Sequence, residues 1–323
     1  AYEIGVRLVG SEMCIRDRAL SALSKSFPIY FIIIATSIGV SVAGTSLIGN
    51  SIGENNKKNI LYYFSHIIIY GFLISLIITF LGLNYAEKVF YLMRSSIEVT
   101  DLGTSYTDII YYGSILFILV VSLNSLLHAE GDTKTYRNVL IISFFLNIIL
   151  NPIFIFGFIF IPALGVKGIA VATLIAQFVA FIIILSKVIS NKRVKEIKKE
   201  FFFIKFYYLK NIFFQSMPIT IAISGYSIAA SIVFTYIGLS GEYAVAGYGA
   251  ATRIEQVVLL PILGINTAII SIIAQNYGAN YFERVKETYF VSIKYGLFIM
   301  FISGVLIYFT AGIVPNCFSS NIE

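Results

Sequence analysis

Apolar residues run in eight long stretches, at 26–50, 60–82, 106–128, 138–160, 165–189, 211–238, 243–275 and 285–311, with polar clusters between them. A bilayer's hydrocarbon core is about 30 Å thick and a helix rises about 1.5 Å per residue, so roughly 20 apolar residues cross it. Every stretch meets that length. None alternates polar with apolar positions as the strands of a membrane barrel do. The pattern predicts an all-α polytopic membrane protein with eight spanning helices in this chain.

The stretches also repeat. IGVSVAGTSLIGNSIGENNKKN at 38–59 lies over LGINTAIISIIAQNYGANYFER at 263–284, an offset of 225 residues that pairs Gly39 with Gly264, Ala43 with Ala268, Ser46 with Ser271, Gly53 with Gly278 and Asn55 with Asn280. Tyr70 and Gly71 fall on Tyr295 and Gly296 in the same register. The helix at 26–50 therefore matches the one at 243–275, six helices later, and an even number keeps the two copies in one orientation. The repeat predicts two pseudo-symmetric six-helix lobes in a parallel repeat, twelve helices when complete, with 26–93 superposing on 251–318 about an axis normal to the membrane. Duplicated halves of this kind are the usual build of secondary transporters. On this reading 19–190 holds helices two to six, 191–210 is a linker, and 211–323 holds helices seven to nine. Residues 1–18, AYEIGVRLVGSEMCIRDR, have no spanning run and no match in the repeat, and are expected to be a foreign or disordered leader with few contacts.

Composition agrees with the lipid setting: 58% of residues are hydrophobic and 12% charged, where soluble domains carry roughly 25% charged residues. The net charge of +6 is unevenly placed. Lys57 and Lys58, Lys134 and Arg137, the series Lys192, Arg193, Lys195, Lys198, Lys199, Lys205 and Lys210, and Arg284 and Lys286 occupy alternate loops, while Lys88, Arg94 and Lys167 fall on the other side. The positive-inside rule places the loops at 51–59, 129–137, 190–210 and 278–286 in the cytoplasm. The run NKRVKEIKKE at 191–200 is then a cytoplasmic linker rather than a nucleic-acid patch. Cys14, Cys317, His66 and His128 are the only cysteines and histidines, which leaves structural zinc and Ser-His or Cys-His catalysis almost nothing to build on, and no GxxxxGK[ST] or HExxH motif occurs, so neither an enzyme nor a cofactor is expected. His66, His128 and Lys294 sit near loops and are read as interfacial residues.

Polar side chains far from the loops are costly in lipid and therefore informative. Asn147 and Asn151 are four apart and share one helix face. Counted from the loop near Ala163, Asn151 and Thr173 lie roughly 18 and 15 Å deep. Pro152 removes a backbone donor beside them and frees a carbonyl. The three residues form either a sodium site or a hydrogen-bonded packing cluster. Arg253 and Glu255 lie roughly 15–20 Å inside their helix and about 200° apart around it, so each needs a partner elsewhere, with Tyr226 at comparable depth. Glu255 is read as a coupling or cation-recognising carboxylate, against a structural ion pair, and Arg253 as structural. Gly39, Gly44 and Gly49 are read as helix-packing positions, and Gly53 and Gly278 as left-handed helix caps.

Four segments resemble one family. EGDTKTYRNVLIISFFLNIILNPIFIFGFIFIPALGVKGIAVATLIAQ at 130–177 is similar to the fifth and sixth helices of the multidrug and toxin extrusion (MATE) transporters, with a Gly-Asp-x-x-cation loop, an Asn-x-x-leucine-acid-Pro core and a Gly-x-x-Gly-x-Ala-x-Ala-Thr opening. MPITIAISGY at 217–226, AVAGYGAATRIEQVVLLPILG at 244–264 and QNYGANYFERVK at 275–286 resemble the seventh and eighth helices and the loop after them. The resemblance covers about 26–311. It implies a monomeric antiporter of the bacterial inner (plasma) membrane, with two lobes forming a V, that exports amphipathic or cationic small molecules in exchange for sodium ions or protons. It also implies that Asn147, Asn151 and Thr173 hold the coupling cation together with a first-helix acid that this chain does not contain. Asn151 departs from the family, which often has aspartate there; an amide has no proton to exchange, though its oxygen can ligate sodium. The alternative is a flippase for lipid-linked precursors of related build, whose cavity needs several arginines, and Arg253 alone lies deep here.

Overall fold

The computed structural model describes the backbone of residues 2–93, 95–158, 161–237, 239, 248, 261, 262 and 264–310, and their side chains from Ala22 on, except those of Ser227, Ser231, Phe234 and Thr310. Among these residues the helices are α1 (Tyr2–Gly53), α2 (Lys57–Leu92), α3 (Ile97–Tyr112), α4 (Ser114–Ala129), α5 (Thr133–Phe156), α6 (Val166–Ile189), α7 (Phe206–Ile237), α8 (264–278) and α9 (Phe282–Thr310). Two 3-10 turns, Val194–Glu196 and Lys199–Phe202, lie in the linker. Seven spans among the described residues are long and apolar enough to cross a membrane, with α3 and α4 counting as one. The eighth expected span, 243–275, falls mostly outside the described residues.

The helices outrun the apolar stretches, because backbone hydrogen bonding continues past the hydrocarbon edge wherever no breaker intervenes. The largest departure is α1, expected near residue 26 but helical from Tyr2, so that residues 2–18 form its opening turns. The run at 106–128 belongs to a longer span that bends at Gly113, where the Leu174 side chain of α6 occupies the place a Cβ would take.

Helix α1 is the hub and packs against α2, α3, α4 and α7. Ile33, Val40 and Ile48 of α1 join Ile60, Phe64 and Ile67 of α2, Ile118 and Leu126 of α4 and Ile184 of α6 in one core. The exposed faces carry large apolar side chains, among them Phe72, Phe80, Phe144, Phe145, Phe298 and Phe301. Several buried hydroxyls are satisfied by their own helices, as in Ser65 Oγ to Leu61 O at 2.6 Å and Ser122 Oγ to Ile118 O at 2.7 Å. Across helices, Tyr111 donates to Ile29 O at 2.7 Å and Thr79 to Tyr111 O at 2.9 Å.

The repeat is visible bond by bond. Glu54, Asn55 and Asn56 donate their backbone N–H groups to Asn50, Ile52 and Ser51, and Ala279, Asn280 and Tyr281 donate theirs to Gln275, Tyr277 and Asn276. The left-handed residue that ends each helix is Asn55 (φ 55°) in one copy and Asn280 (φ 61°) in the other. This corrects the reading of Gly53 and Gly278 as the caps. Both glycines lie inside their helices and serve close approach: a Cβ on Gly53 would strike Gln275 O, and one on Gly278 would strike Asn50 O. Under the 225-residue offset Asn50 corresponds to Gln275, so these are one contact made twice, the mark of a two-fold axis. Gly49 faces Ala274, its own counterpart, and sits on that axis, with 2.9 Å between its Cβ position and the Ala274 Cβ. The contacts of Gly49 with Ala274, Asn50 with Gly278 and Gly53 with Gln275 advance in the same direction along both helices, so α1 and α8 cross in parallel, as a parallel repeat requires.

Candidate cation and substrate site

Helices α5 and α6 form an antiparallel pair joined through residues 157–165. Gly157 (φ 80°) and Gly165 (φ 55°) adopt conformations that other residues resist, and Leu164 N–H donates to Phe154 O at 2.9 Å. Gly168 lets α6 press on the backbone of Phe154. Counting residue for residue from that contact in opposite directions sets Thr173 level with Ile149, between Asn147 and Asn151.

The three side chains are not used alike. Asn147 Nδ2 donates to Ser143 O at 2.9 Å, and Thr173 Oγ1 donates to Ile169 O at 2.9 Å, so each is tied to the preceding turn of its own helix with its oxygen lone pairs left to accept. The Asn151 Oδ1 atom is buried with no hydrogen-bond partner. A buried acceptor without a donor is unfavourable unless a cation or water satisfies it. The Asn151 amide oxygen, the Thr173 hydroxyl and a carbonyl freed by Pro152 are neutral oxygen donors, the chemistry that suits a hard monovalent cation.

Arg253 and Glu255 lie outside the described residues. Tyr226 is 46% exposed on α7, its ring 6.5 Å from that of Phe31 on α1. Helices α1 and α7 belong to different lobes and pack closely at Gly39, against Thr220 and Ser216. Ser37 Oγ on α1 and Ser224 Oγ on α7 are buried and unpartnered. Neither was singled out from the sequence, because a serine in an apolar run gives no sign of whether its own helix satisfies it.

At the end carrying the basic loops the lobes are joined by polar contacts. Gln275 Nε2 of α8 donates to Ala129 O at the end of α4. The linker docks on the first lobe through Arg193 and Asn191, which bind Glu130 at 2.9 and 2.6 Å. Asp132 caps α5, accepting from Thr135 N–H at 3.0 Å and Thr135 Oγ1 at 2.6 Å. Burial works against the Asp132 carboxylate, but these bonds, with help from Lys187 and the Lys134 N–H, bring it below the usual range. The two histidines next to these loops are both buried. His66 has no exposed surface, and His128 is buried against Tyr136, with Nε2 accepting from Asn124 Nδ2 at 2.9 Å.

The family model MatE matches residues 5–153 and 212–323. The chain is 26% identical over 272 residues to the probable multidrug resistance protein YoeA of Bacillus subtilis, covering 83% of this chain and 59% of the relative. It is 26% identical over 274 residues to an FAD transporter of Shewanella oneidensis, covering 83% and 60%. The chain thus spans about three fifths of the length of these relatives. Among solved structures, it matches an outward-facing multidrug resistance MATE family transporter with TM-score 0.83 at 27% identity, over 94% of this chain and 66% of the other. The inward-facing form gives TM-score 0.74 at 26% identity, over 94% and 69%. Helical repeat, fold and family match agree: this chain belongs to the multidrug and toxin extrusion (MATE) family.

Proposed function

We propose that the full protein is a secondary active transporter, an antiporter of the plasma membrane that exports amphipathic or cationic compounds in exchange for a cation. The observation that carries this reading is the junction of the lobes. Two copies of one bundle meet across a two-fold axis through bare backbone at Gly49, Gly53 and Gly278 and through single hydrogen bonds. Such a junction excludes solvent when closed and needs no large apolar core to be exposed when it parts. The basic loops at this end favour the cytoplasmic side. The better match to an outward-facing structure fits closure there.

The mechanism follows from differential binding. A cation taken up by Asn151 Oδ1, the Thr173 hydroxyl and the Asn147 amide oxygen would be released when the helices shift, and release biases the lobes toward the other state. Asn151 carries no exchangeable proton, which supports sodium over protons at this position. We assign Glu255 to cation recognition or coupling in the second lobe, where a carboxylate in lipid attracts positive cargo.

The test is transport by the full-length protein in inside-out vesicles, with a cationic dye and FAD as cargoes, under an imposed sodium or proton gradient. Dye movement driven by sodium is the expected result. FAD movement alone would replace the cargo class, and movement of neither would overturn the reading.

A further inference from the structure

Helix α2 of the first lobe and α7 of the second share a polar seam. Tyr208 donates to Asn59 Oδ1 at 3.0 Å, Asn211 Nδ2 to Tyr63 at 3.0 Å, and Ser216 to Tyr70 at 3.0 Å. Positions 59, 63, 66 and 70 follow helical spacing along one face of α2. His66 is the member of this face that can change charge. Its Nδ1 lies 2.8 Å from Tyr62 O, and its Nε2 lies 2.9 Å from the backbone nitrogen of Lys205, the residue immediately before α7. A carbonyl only accepts and a backbone N–H only donates. The ring therefore carries its proton on Nδ1 and offers a lone pair at Nε2.

We infer that His66 is a proton-sensitive positioning residue for lobe closure: the neutral ring holds the start of α7 against α2, and the protonated ring releases it. A proton on Nε2 removes the acceptor and sets two N–H donors against each other. Among the described residues, the titratable and charged groups nearest the ring are Tyr62, Tyr208, the Lys205 ammonium and, acting on that ammonium, the Glu200 carboxylate. Tyr62 lies below it on α2 and stacks at 5.0 Å on Tyr208 of α7, which also faces the imidazole at 5.2 Å. The Lys205 ammonium lies 3.9 Å over the Tyr62 ring. Bonding to the Tyr62 hydroxyl and the nearby charge of Glu200 keep that ammonium above its ordinary range, hence charged and repulsive toward an imidazolium. The repeat supplies a further argument. Val291 stands at the counterpart of His66, with Glu287 and Thr288 for Tyr62 and Tyr63, so the device exists on one side of the two-fold axis and is not inherited packing.

Closure needs the neutral form. It is therefore firm above the imidazole range, about pH 6.5, and weakens as pH falls through it. The consequence for transport rests on α2 and α7 belonging to lobes that part during the cycle. The test uses the full-length protein in lipid nanodiscs, with native cysteines replaced and spin labels at Lys134→Cys and Lys286→Cys, on exposed sites of the two lobes at the basic-loop end. Between about pH 8 and about pH 5 the ratio of separated to closed populations should rise roughly fivefold, the effect of losing about one hydrogen bond. His66→Gln offers an amide oxygen to Lys205 and an amide N–H to Tyr62 but cannot gain a proton, and its distances should not respond to pH. A wild-type distribution that does not change with pH, or a His66→Gln protein that responds as the wild type does, overturns the inference. Efflux assayed on the same samples separates the two claims. A distance response without transport removes only the transporter reading, and transport without a distance response removes only the latch.

Discussion

Asn151 shows how far a single residue could be read. Its position four residues after Asn147, on one helix face and beside Pro152, was legible from helical periodicity. That Asn147 and Thr173 spend their donors on their own helices, leaving Asn151 Oδ1 alone without a partner, was not, because such choices depend on rotamers and neighbours. Asn151→Ala should weaken apparent sodium affinity in efflux roughly tenfold, the effect of about 1.4 kcal/mol. Asn151→Asp should keep the oxygen and add a pH dependence. Unchanged sodium dependence in both variants, at normal expression, would reduce these residues to packing. Asp132 gives a second test at this scale. Its depressed carboxylate favours the folded state above the ordinary Asp range, and that contribution is lost as pH falls through its folded value. Asp132→Ala should cost about 1 kcal/mol near neutral pH, and thermal melts should show the gap closing as pH falls below the ordinary Asp range. A gap that is unchanged in acid would contradict the cap.

Among the elements, α1 and α8 carry the lesson about glycine. A glycine just past an apolar run suits a left-handed cap, and it equally suits a helix backbone pressed on another, so the sequence offers the same letter for both demands. The structure resolves the ambiguity by giving the cap to Asn55 and Asn280 and the crossing to Gly53 and Gly278. His66 was illegible for a different reason: its partner is the backbone N–H of Lys205, which any residue type at that position would supply. If the crossing is symmetric, Gly53→Val and Gly278→Val should open the basic-loop end to similar extents, because each inserts a side chain into the equivalent contact. Label distances across that end would report it, and a large effect from one substitution with none from the other would break the symmetry argument.

On the scale of the whole molecule, the 225-residue offset already contained two parallel bundles, since a repeat after an even number of helices leaves no other orientation. The offset did not contain how the bundles touch, which is set by the reciprocal meeting of Asn50 with Gly278 and Gly53 with Gln275 around the Gly49–Ala274 axis. The central claim is that this junction closes the basic-loop end and must part for transport. It is tested most directly by Gly49→Cys with Ala274→Cys in the full-length protein with native cysteines replaced. The two Cβ positions are close enough for a disulfide to form with a small adjustment of the helices. Oxidation should lock the lobes and abolish efflux in vesicles, and a reductant should restore it. Full transport by protein shown to be cross-linked at this pair would contradict the account.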